Sequence, residues 1–184
     1  MKKYSLLNSV LIIFLSLISL SLKGQNNVTS RVRVVSGGTI SFYFNTLGKY
    51  KSGLTLTDWT RLNVYFNDTI AGGGANPAGH GWRLLVRADD NGIVADGGSP
   101  SLSLSSIILT TTISFGVPIA PAPVTLSASD QVLVQDDTPI VNVNEEIVIS
   151  YAIGTTNNPP NSPYLGKPAD YYTVNLVFTL EPLP

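Results

Sequence analysis

The chain contains no cysteine and a single histidine, and both shortages restrict the chemistry available to it. Without cysteine it can form neither a disulfide nor the lipid-modified cysteine of a lipoprotein. A zinc site needs several histidine or cysteine ligands, which this composition does not provide. The fold must therefore be stabilised by a hydrophobic core, and a zinc-dependent activity is not expected.

Charged residues are also scarce: they make up 12% of the 184 residues, and the formal net charge is −1. The basic residues form no cluster larger than Arg31/Arg33 and Lys49/Lys51. Because nucleic acid binding depends on clustered lysine and arginine, no nucleic acid partner is expected. Aliphatic and β-branched residues are too frequent for a disordered chain and, with abundant Thr, Ser, Asn and Gly, are typical of an extracellular β-protein.

Residues 1–24 are predicted to be a secretory signal peptide. Two lysines precede an apolar run at 10–22 that only serines interrupt, and this run is short for a bilayer-spanning helix. Cleavage after Ser21 places small residues at both the −1 and −3 positions, whereas cleavage after Gly24 leaves Leu22 at −3. An uncleaved N-terminal anchor is the alternative. No later segment is apolar enough to span a membrane as a helix. We therefore expect residues 25–184 to form a single secreted, periplasmic or cell-surface domain.

Alternation of apolar and polar residues gives the clearest structural prediction. Strict period-two alternation marks strands with one buried and one wetter face. It is strongest in "TISFYF" (39–44), "RLNVYFN" (61–67), "EEIVISYAIG" (145–154) and "YYTVNLVFTLEP" (171–182). Weaker strand candidates lie at 28–35, 82–88, 101–113, 124–129 and 131–135. No segment after the signal peptide has the apolar spacing and caps of a helix, so none is predicted.

Turn-forming segments rich in Gly, Asn and Pro separate these strands. Together they predict an all-β fold: an antiparallel β-sandwich of about 8–9 strands with Greek-key, immunoglobulin-like connections, for which a closed barrel is the alternative. "GVPIAPAP" (116–123) is interpreted as a crossing between sheets, with a domain linker as the alternative. The segment 155–170 is predicted to be a long surface loop before the last strand.

The segment "GHGWRLLVRADDNG" (79–92) combines the only histidine with a tryptophan and two adjacent aspartates. His80 could act as a general base, because catalytic triads are defined by geometry and not by order along the chain. No G-x-S-x-G nucleophile elbow accompanies it, so we interpret His80 as a polar loop residue. Trp82 is expected to face the core at the start of a strand. We expect no enzymatic activity.

Calcium is the metal that this composition could bind, because it prefers the hard oxygens of aspartate and asparagine. Asp89, Asp90 and Asp96 lie on a glycine-rich stretch and form the candidate site. Their spacing does not match the D-x-[DN]-x-[DN]-G loop. We favour the alternative that "DDNG" (89–92) is a type I′ hairpin turn, in which Asn-Gly supplies two positive φ angles. No other cofactor is expected.

Aromatic residues beside turns suggest a site for sugar, because exposed rings can stack on the apolar face of a saccharide. The candidate ligand-binding residues are Trp59, Tyr164, Tyr171 and Tyr172. For Trp59 a core position is an equally weighted alternative.

The pattern F-x-T-x-x-x-Y-x-x-G followed by W-x-L-x-V-x-A resembles that of short exported β-sandwich proteins of Bacteroidota, many of unknown function. It falls on Phe44, Thr46, Tyr50, Gly53, Trp82, Leu84, Val86 and Ala88. Trp82-Arg83-Leu84 is similar to the first motif of WxL surface domains, although the second motif has no counterpart. The alternation and the closing strand are similar to those of pilin-like subunits. Asp68-Thr69-Ile70 resembles the site at which Bacteroidota O-glycosylate exported proteins, with Thr69 as the acceptor.

The resulting functional expectation is an exported, non-enzymatic bacterial protein with a structural, adhesive or envelope-interaction role, such as a pilin-like subunit. A carbohydrate-binding module of the bacterial surface is the alternative. The expected partners are other copies of the chain, other surface proteins or a glycan. If the protein polymerises, the segment 26–35 is the candidate for adding a strand to a neighbour. Its alternative role is an ordinary first strand of its own sheet.

Overall fold

The computed structural model describes residues 27–70, 74, 76, 79–98, 101–113, 122–138, 142–155, 164 and 166–183. The strands are β1 (Asn27–Ser36), β2 (Ile40–Phe44), β3 (Leu54–Thr69), β4 (Trp82–Ala88), β5 (Val94–Ala95), β6 (Ile107–Ile113), β7 (Val124–Thr125), β8 (Gln131–Asp136), β9 (Asn142–Ile153), β10 (Asp170–Val174) and β11 (Leu176–Pro182), with helix α1 at Leu47–Ser52 and a 3₁₀ turn at Leu104–Ser106. The signal peptide, most of the 116–123 crossing and most of the 155–170 loop lie outside the described residues. No helix in the described part of the chain has the length and apolarity needed to cross a membrane.

The strands form antiparallel sheets, which confirms the predicted all-β class. A five-stranded sheet has the order β1-β3-β9-β6-β7, and two three-stranded sheets have the orders β2-β10-β5 and β11-β4-β8. The two smaller sheets are linked because β10 leads directly into β11 through Asn175, and because β4 is followed by β5. The predicted strand at 171–182 is thus divided in two. With the two-residue strand β5, which was not predicted, this division explains why the described strands outnumber the 8–9 predicted.

The predicted alternation places the expected side chains in the core. Along β3, Leu62, Val64 and Phe66 are fully buried, and β2 and β9 repeat the pattern. Buried residues from all three sheets belong to a single hydrophobic cluster. Removing this apolar surface from water is the main stabilising contribution available to a chain without disulfides.

Helix α1 was not predicted from the sequence. It is a single short segment between β2 and β3, and its Thr46 N-cap accepts a hydrogen bond from the Lys49 amide at 3.4 Å. Gly53 ends the helix with φ +75°, a conformation that favours glycine. Six residues with no buried member leave no apolar periodicity to detect, so local capping is the only sequence signal for this helix.

The prediction of a type I′ hairpin at 89–92 is wrong. Neither Asn91 nor Gly92 adopts the left-handed φ that both central residues of such a turn require. The flanking strands do not pair with each other: β4 pairs with β11, and β5 pairs with β10. The segment therefore connects two strands that lie one after the other along β10 and β11.

Strand β1 is the edge of the five-stranded sheet and pairs with β3 from Asn27 to Ser36. Val32 is partly buried and packs against the core, whereas Val34 is exposed. The described segment is therefore an ordinary first strand of its own sheet, which was the alternative to a donor strand.

Candidate functional site

His80, the only histidine, is held by a buried carboxylate at the end of β3. Asp68, whose side chain is 1% exposed, accepts hydrogen bonds from the Nδ1 atom and the backbone N–H of His80, each at 2.8 Å. Asn76 Nδ2 donates to the other carboxylate oxygen at 3.0 Å. His80 lies two residues before β4, so this cluster links the five-stranded sheet to the segment that leads into the β11-β4-β8 sheet.

The hydrogen bonds keep Asp68 ionised. Burial by itself raises the pKa of this carboxyl group, but the hydrogen bonds from Asn76 and His80 outweigh burial and hold the pKa below its usual value. The Asp68–His80 pair has the geometry of the Asp–His half of a catalytic triad. In the described part of the chain, however, no hydroxyl is hydrogen-bonded to the second ring nitrogen of His80. The hydrogen bonds of Asp68 anchor His80 and Asn76 to the end of β3.

The three aspartates of the calcium hypothesis lie on the surface after β4. Asp89 and Asp90 are exposed in the bend that follows β4, and Asp89 lies 3.8 Å from Arg87. Asp96 is exposed just after β5, and its backbone N–H donates to the carbonyl of Tyr171. The described residues include no group of three or more His, Cys, Asp or Glu side chains able to hold a metal ion.

Two of the four aromatic candidates face the core, so the expectation of exposed rings is wrong for them. Tyr164 and Tyr172 are buried and pack on Phe44, with ring centroids 5.4 and 5.9 Å away. The polar end of Tyr172 is satisfied by the carbonyl of Pro168 at 3.1 Å, which allows this side chain to be buried despite its hydroxyl. Trp82, in contrast, is buried as predicted.

The other two aromatic candidates are exposed. Trp59 is 43% exposed and lies in a bulge of β3, where the neighbouring Asp58 has φ +49°. Its indole N–H donates to the carbonyl of Thr39 at 2.9 Å, so the ring is held against the start of β2. Tyr171 is 48% exposed on the outer face of β10.

Tyr171 is part of an ordered aromatic surface that the sequence did not indicate. Tyr43, directly opposite on β2, stacks on it with ring centroids 4.1 Å apart and planes inclined by 8°. Lys49 places its ammonium group 5.2 Å from the Tyr43 ring centre and donates to the Tyr43 carbonyl at 3.1 Å. The next register pair, Ser41 and Thr173, adds two hydroxyls on the same face. We call these five residues the tyrosine face.

A second surface lies on the outer side of the five-stranded sheet. It is a groove of about 230 Å³, and its lining residues are Arg31, Arg33, Asn63, Tyr65 and Asn144. We call it the arginine groove. Its residues come from the three neighbouring strands β1, β3 and β9.

Thr69, the candidate glycosylation acceptor, is the last residue of β3 and is half-buried opposite Asn27. The aspartate of its motif, Asp68, is the buried anchor described above. In the folded chain this aspartate is therefore engaged in internal hydrogen bonds.

Alternation marks Tyr43 and Tyr171 as outward-facing, but not as neighbours. Tyr43 lies between buried Phe42 and Phe44, and Tyr171 precedes buried Tyr172. Their contact depends on the register of β2 against β10, which local sequence does not reveal. The comparisons add no family: no protein-family model matches the chain, and a search of curated proteins gives no match.

Proposed function

We propose that the chain is an exported, non-enzymatic protein of the bacterial envelope or surface whose role is adhesive, and that it binds glycans through the tyrosine face. The observation that carries this proposal is the stacked, solvent-exposed pair of Tyr43 and Tyr171. Because each ring covers one face of the other and Lys49 lies over Tyr43, the aromatic surface open to the C–H groups of a sugar is the outer face of Tyr171 together with the edges of the pair. The neighbouring hydroxyls can bond to sugar hydroxyls.

The tyrosine face is ordered before any ligand arrives. Each ring is held by the other, and Lys49 restrains Tyr43 through its backbone carbonyl and its ring. Fixing side chains in advance reduces the entropy that binding would otherwise cost. A sugar can therefore stack on exposed aromatic surface without first ordering it.

The proposed architecture is a β-sandwich with immunoglobulin-like connections, in which the five-stranded sheet packs against the two linked smaller sheets. The shared hydrophobic cluster supports this arrangement. Export is supported by the signal-peptide pattern at 1–24, which also supports a secreted, periplasmic or cell-surface location.

A structural, pilin-like role is the second form of the proposal, and β1 is the relevant element. Its exposed edge would accept or donate a strand, and exposed Val34 and Val35 add apolar area there. Arg31 and Arg33 on the same strand oppose such pairing, because charged side chains on an edge strand discourage strand addition. Strand β1 is also already paired along its length with β3. The geometry therefore favours adhesion over polymerisation.

The test is binding of the purified protein to a panel of neutral polysaccharides, compared with the double variant Tyr43→Ala/Tyr171→Ala. The proposal predicts a neutral glycan that the protein binds and that the double variant binds about tenfold more weakly, since the exposed aromatic surface of the pair contributes on the order of 1 kcal/mol. Tyr43→Phe/Tyr171→Phe keeps the rings and should retain most of the affinity.

Equal binding by the Ala double variant, or no binding to any neutral glycan, would refute the tyrosine face as a glycan site. Size-exclusion chromatography of the same protein separates the two forms of the proposal. A monomer agrees with adhesion through this face, whereas concentration-dependent polymers that disappear on deletion of 27–35 would support the pilin-like role.

A further inference from the structure

We propose that the arginine groove is a second binding site, separate from the tyrosine face, and that it binds the carboxylate of an acidic saccharide. The groove consists of two rows that run across three strands. Arg31 lies opposite Tyr65, which lies opposite Asn144; Arg33 lies opposite Asn63, which lies opposite Glu146. Each row therefore begins with an arginine on the edge strand.

The spacing of these rows suits a small rigid group. Residues two apart on a strand are separated by about 7 Å, and neighbouring strands lie about 4.8 Å apart. The two rows thus present charged and polar groups over an area of roughly 7 by 10 Å, which is comparable with one or two sugar rings. Because the groups project from paired strands, their relative positions are fixed by the sheet.

The two arginines have charge that the protein itself does not use. Arg61, the next arginine on this face, is paired with Glu146 through Nη1 and Oε1 at 2.7 Å. Within the described residues, neither Arg31 nor Arg33 has an ion pair or a side-chain hydrogen bond. Two uncompensated guanidinium groups therefore face the same groove in a chain whose net charge is −1.

The neutral residues of the groove suit a saccharide ligand better than a simple inorganic anion. The amides of Asn63 and Asn144 each offer two donors and an acceptor, and the Tyr65 hydroxyl offers one of each. Like the arginines, these three side chains make no hydrogen bond to the described part of the chain. Hydroxyl groups of a sugar both donate and accept, so they match amides and a phenol better than phosphate oxygens do.

The carboxylate is expected at the Arg31–Tyr65 end of the groove. Glu146 borders the other row, opposite Asn63, and would repel an anion placed there. A guanidinium group matches the planar carboxylate with two parallel hydrogen bonds, an arrangement that a lysine cannot reproduce. The ligand class is therefore a carboxylated sugar, such as a uronic acid, whose remaining hydroxyls lie over Tyr65 and the asparagines.

The experiment measures binding of the purified protein to a short oligogalacturonate by titration calorimetry. Two related probes separate the features of the ligand: the methyl-esterified oligomer has the same sugars without charge, and polyglutamate has carboxylates without sugars. Sulfated heparin fragments and inorganic phosphate test other anions. We expect the oligogalacturonate to bind at least about tenfold more tightly than each of the four, because only it combines planar carboxylates with sugar hydroxyls.

The variants locate the site. Arg31→Ala/Arg33→Ala should weaken oligogalacturonate binding by about tenfold or more. Arg31→Lys/Arg33→Lys should recover only part of that loss, because lysine keeps the charge but lacks the two parallel N–H donors of a guanidinium group. The charge-matched control is Lys51→Ala/Lys167→Ala, which removes two positive charges elsewhere and should leave this binding unchanged. Arg31, Arg33 and Lys51 are exposed and Lys167 is half-buried, and circular dichroism with thermal unfolding checks that the fold is retained.

Three results would overturn the proposal: no binding of oligogalacturonate, a loss in Arg31→Ala/Arg33→Ala no larger than in the lysine control, or binding of any of the four other probes as tight as that of oligogalacturonate. The tyrosine face is tested independently by the same proteins. Neutral-glycan binding should be retained in Arg31→Ala/Arg33→Ala and lost in Tyr43→Ala/Tyr171→Ala, so failure of one site is distinguishable from failure of the other.

Discussion

The tyrosine face and the arginine groove are both built from outward-facing residues of paired strands, yet their side chains are satisfied in opposite ways. In the tyrosine face the rings and Lys49 contact one another. In the arginine groove, Arg31 and Arg33 contact no partner in the described residues. The first surface is organised by its own contacts, whereas the second is a set of separate groups held apart by the sheet.

This difference indicates which forces each surface can offer a ligand. Stacked rings present apolar area, whose contribution to binding depends little on ionic strength. Unpaired guanidinium groups present charge, whose contribution is screened by salt and depends on neighbouring carboxylates. The same fold thus places two chemically different surfaces on two different sheets, and each can be changed without altering the other.

The largest predicted effect concerns the Asp68 cluster, which joins β3, a strand of the arginine groove, to the segment that leads into β4. Asp68→Ala removes the carboxylate that accepts hydrogen bonds from His80 and Asn76. It should lower the free energy of unfolding by about 2–3 kcal/mol, because these are hydrogen bonds to a buried charge. Chemical denaturation measures this loss. The affinities for the neutral glycan and for oligogalacturonate should both persist in the folded variant. Loss of only one of these affinities would show that the corresponding surface depends on the Asp68 cluster.

The same residue predicts a pH dependence of stability. Since the pKa of Asp68 is lowered in the folded chain, its contribution is complete at neutral pH. The contribution declines as the pH falls below about 4, the ordinary range of aspartate, and is lost once the pH falls through the lower folded-state pKa. Acid denaturation should therefore destabilise the protein with Asp68 more steeply than Asp68→Asn; parallel acid profiles would contradict the assignment.

The next largest predicted effect is the salt dependence of binding, which should differ between the two surfaces. Raising NaCl from 0.1 to 1 M shortens the Debye length from about 10 to about 3 Å. Oligogalacturonate binding at the groove should then weaken by about tenfold, whereas neutral-glycan binding at the tyrosine face should change by less than about twofold. Calorimetry at both salt concentrations provides the comparison, and equal salt dependence would show that the two surfaces do not differ as described.

The smallest predicted effect comes from Glu146. Glu146→Gln removes a negative charge beside the groove and releases Arg61 from its ion pair, so oligogalacturonate should bind about two- to fivefold more tightly, in line with the modest energies of exposed charge pairs. Binding at the tyrosine face should not change. Weaker oligogalacturonate binding in this variant would place the carboxylate elsewhere.

The sequence was sufficient to predict which strand positions are buried. Alternation in "RLNVYFN" correctly placed Leu62, Val64 and Phe66 inside, because burial of one sheet face imposes a period of two. The outward positions of the same strands follow automatically. The all-β class and the antiparallel arrangement were predicted on this basis.

The candidate surfaces could not be predicted because they depend on contacts between distant segments. Tyr43 and Tyr171 meet only through the register of β2 against β10, and Arg31 meets Asn144 only through β3. The burial of Tyr164 and Tyr172 follows from the space beside Phe44, which no local pattern reports. Asp68 was noted as part of a glycosylation motif, while its hydrogen bonds to Asn76 and His80 depend on the return of the chain towards β4.

The most direct test of the two-surface account is an NMR titration of the isotope-labelled protein with oligogalacturonate. The account predicts chemical-shift changes at Arg31, Arg33, Asn63, Tyr65 and Asn144, including the guanidinium signals, with Tyr43 and Tyr171 unaffected. Changes centred on Tyr43 and Tyr171, or shifts spread over the surface without saturation, would contradict it.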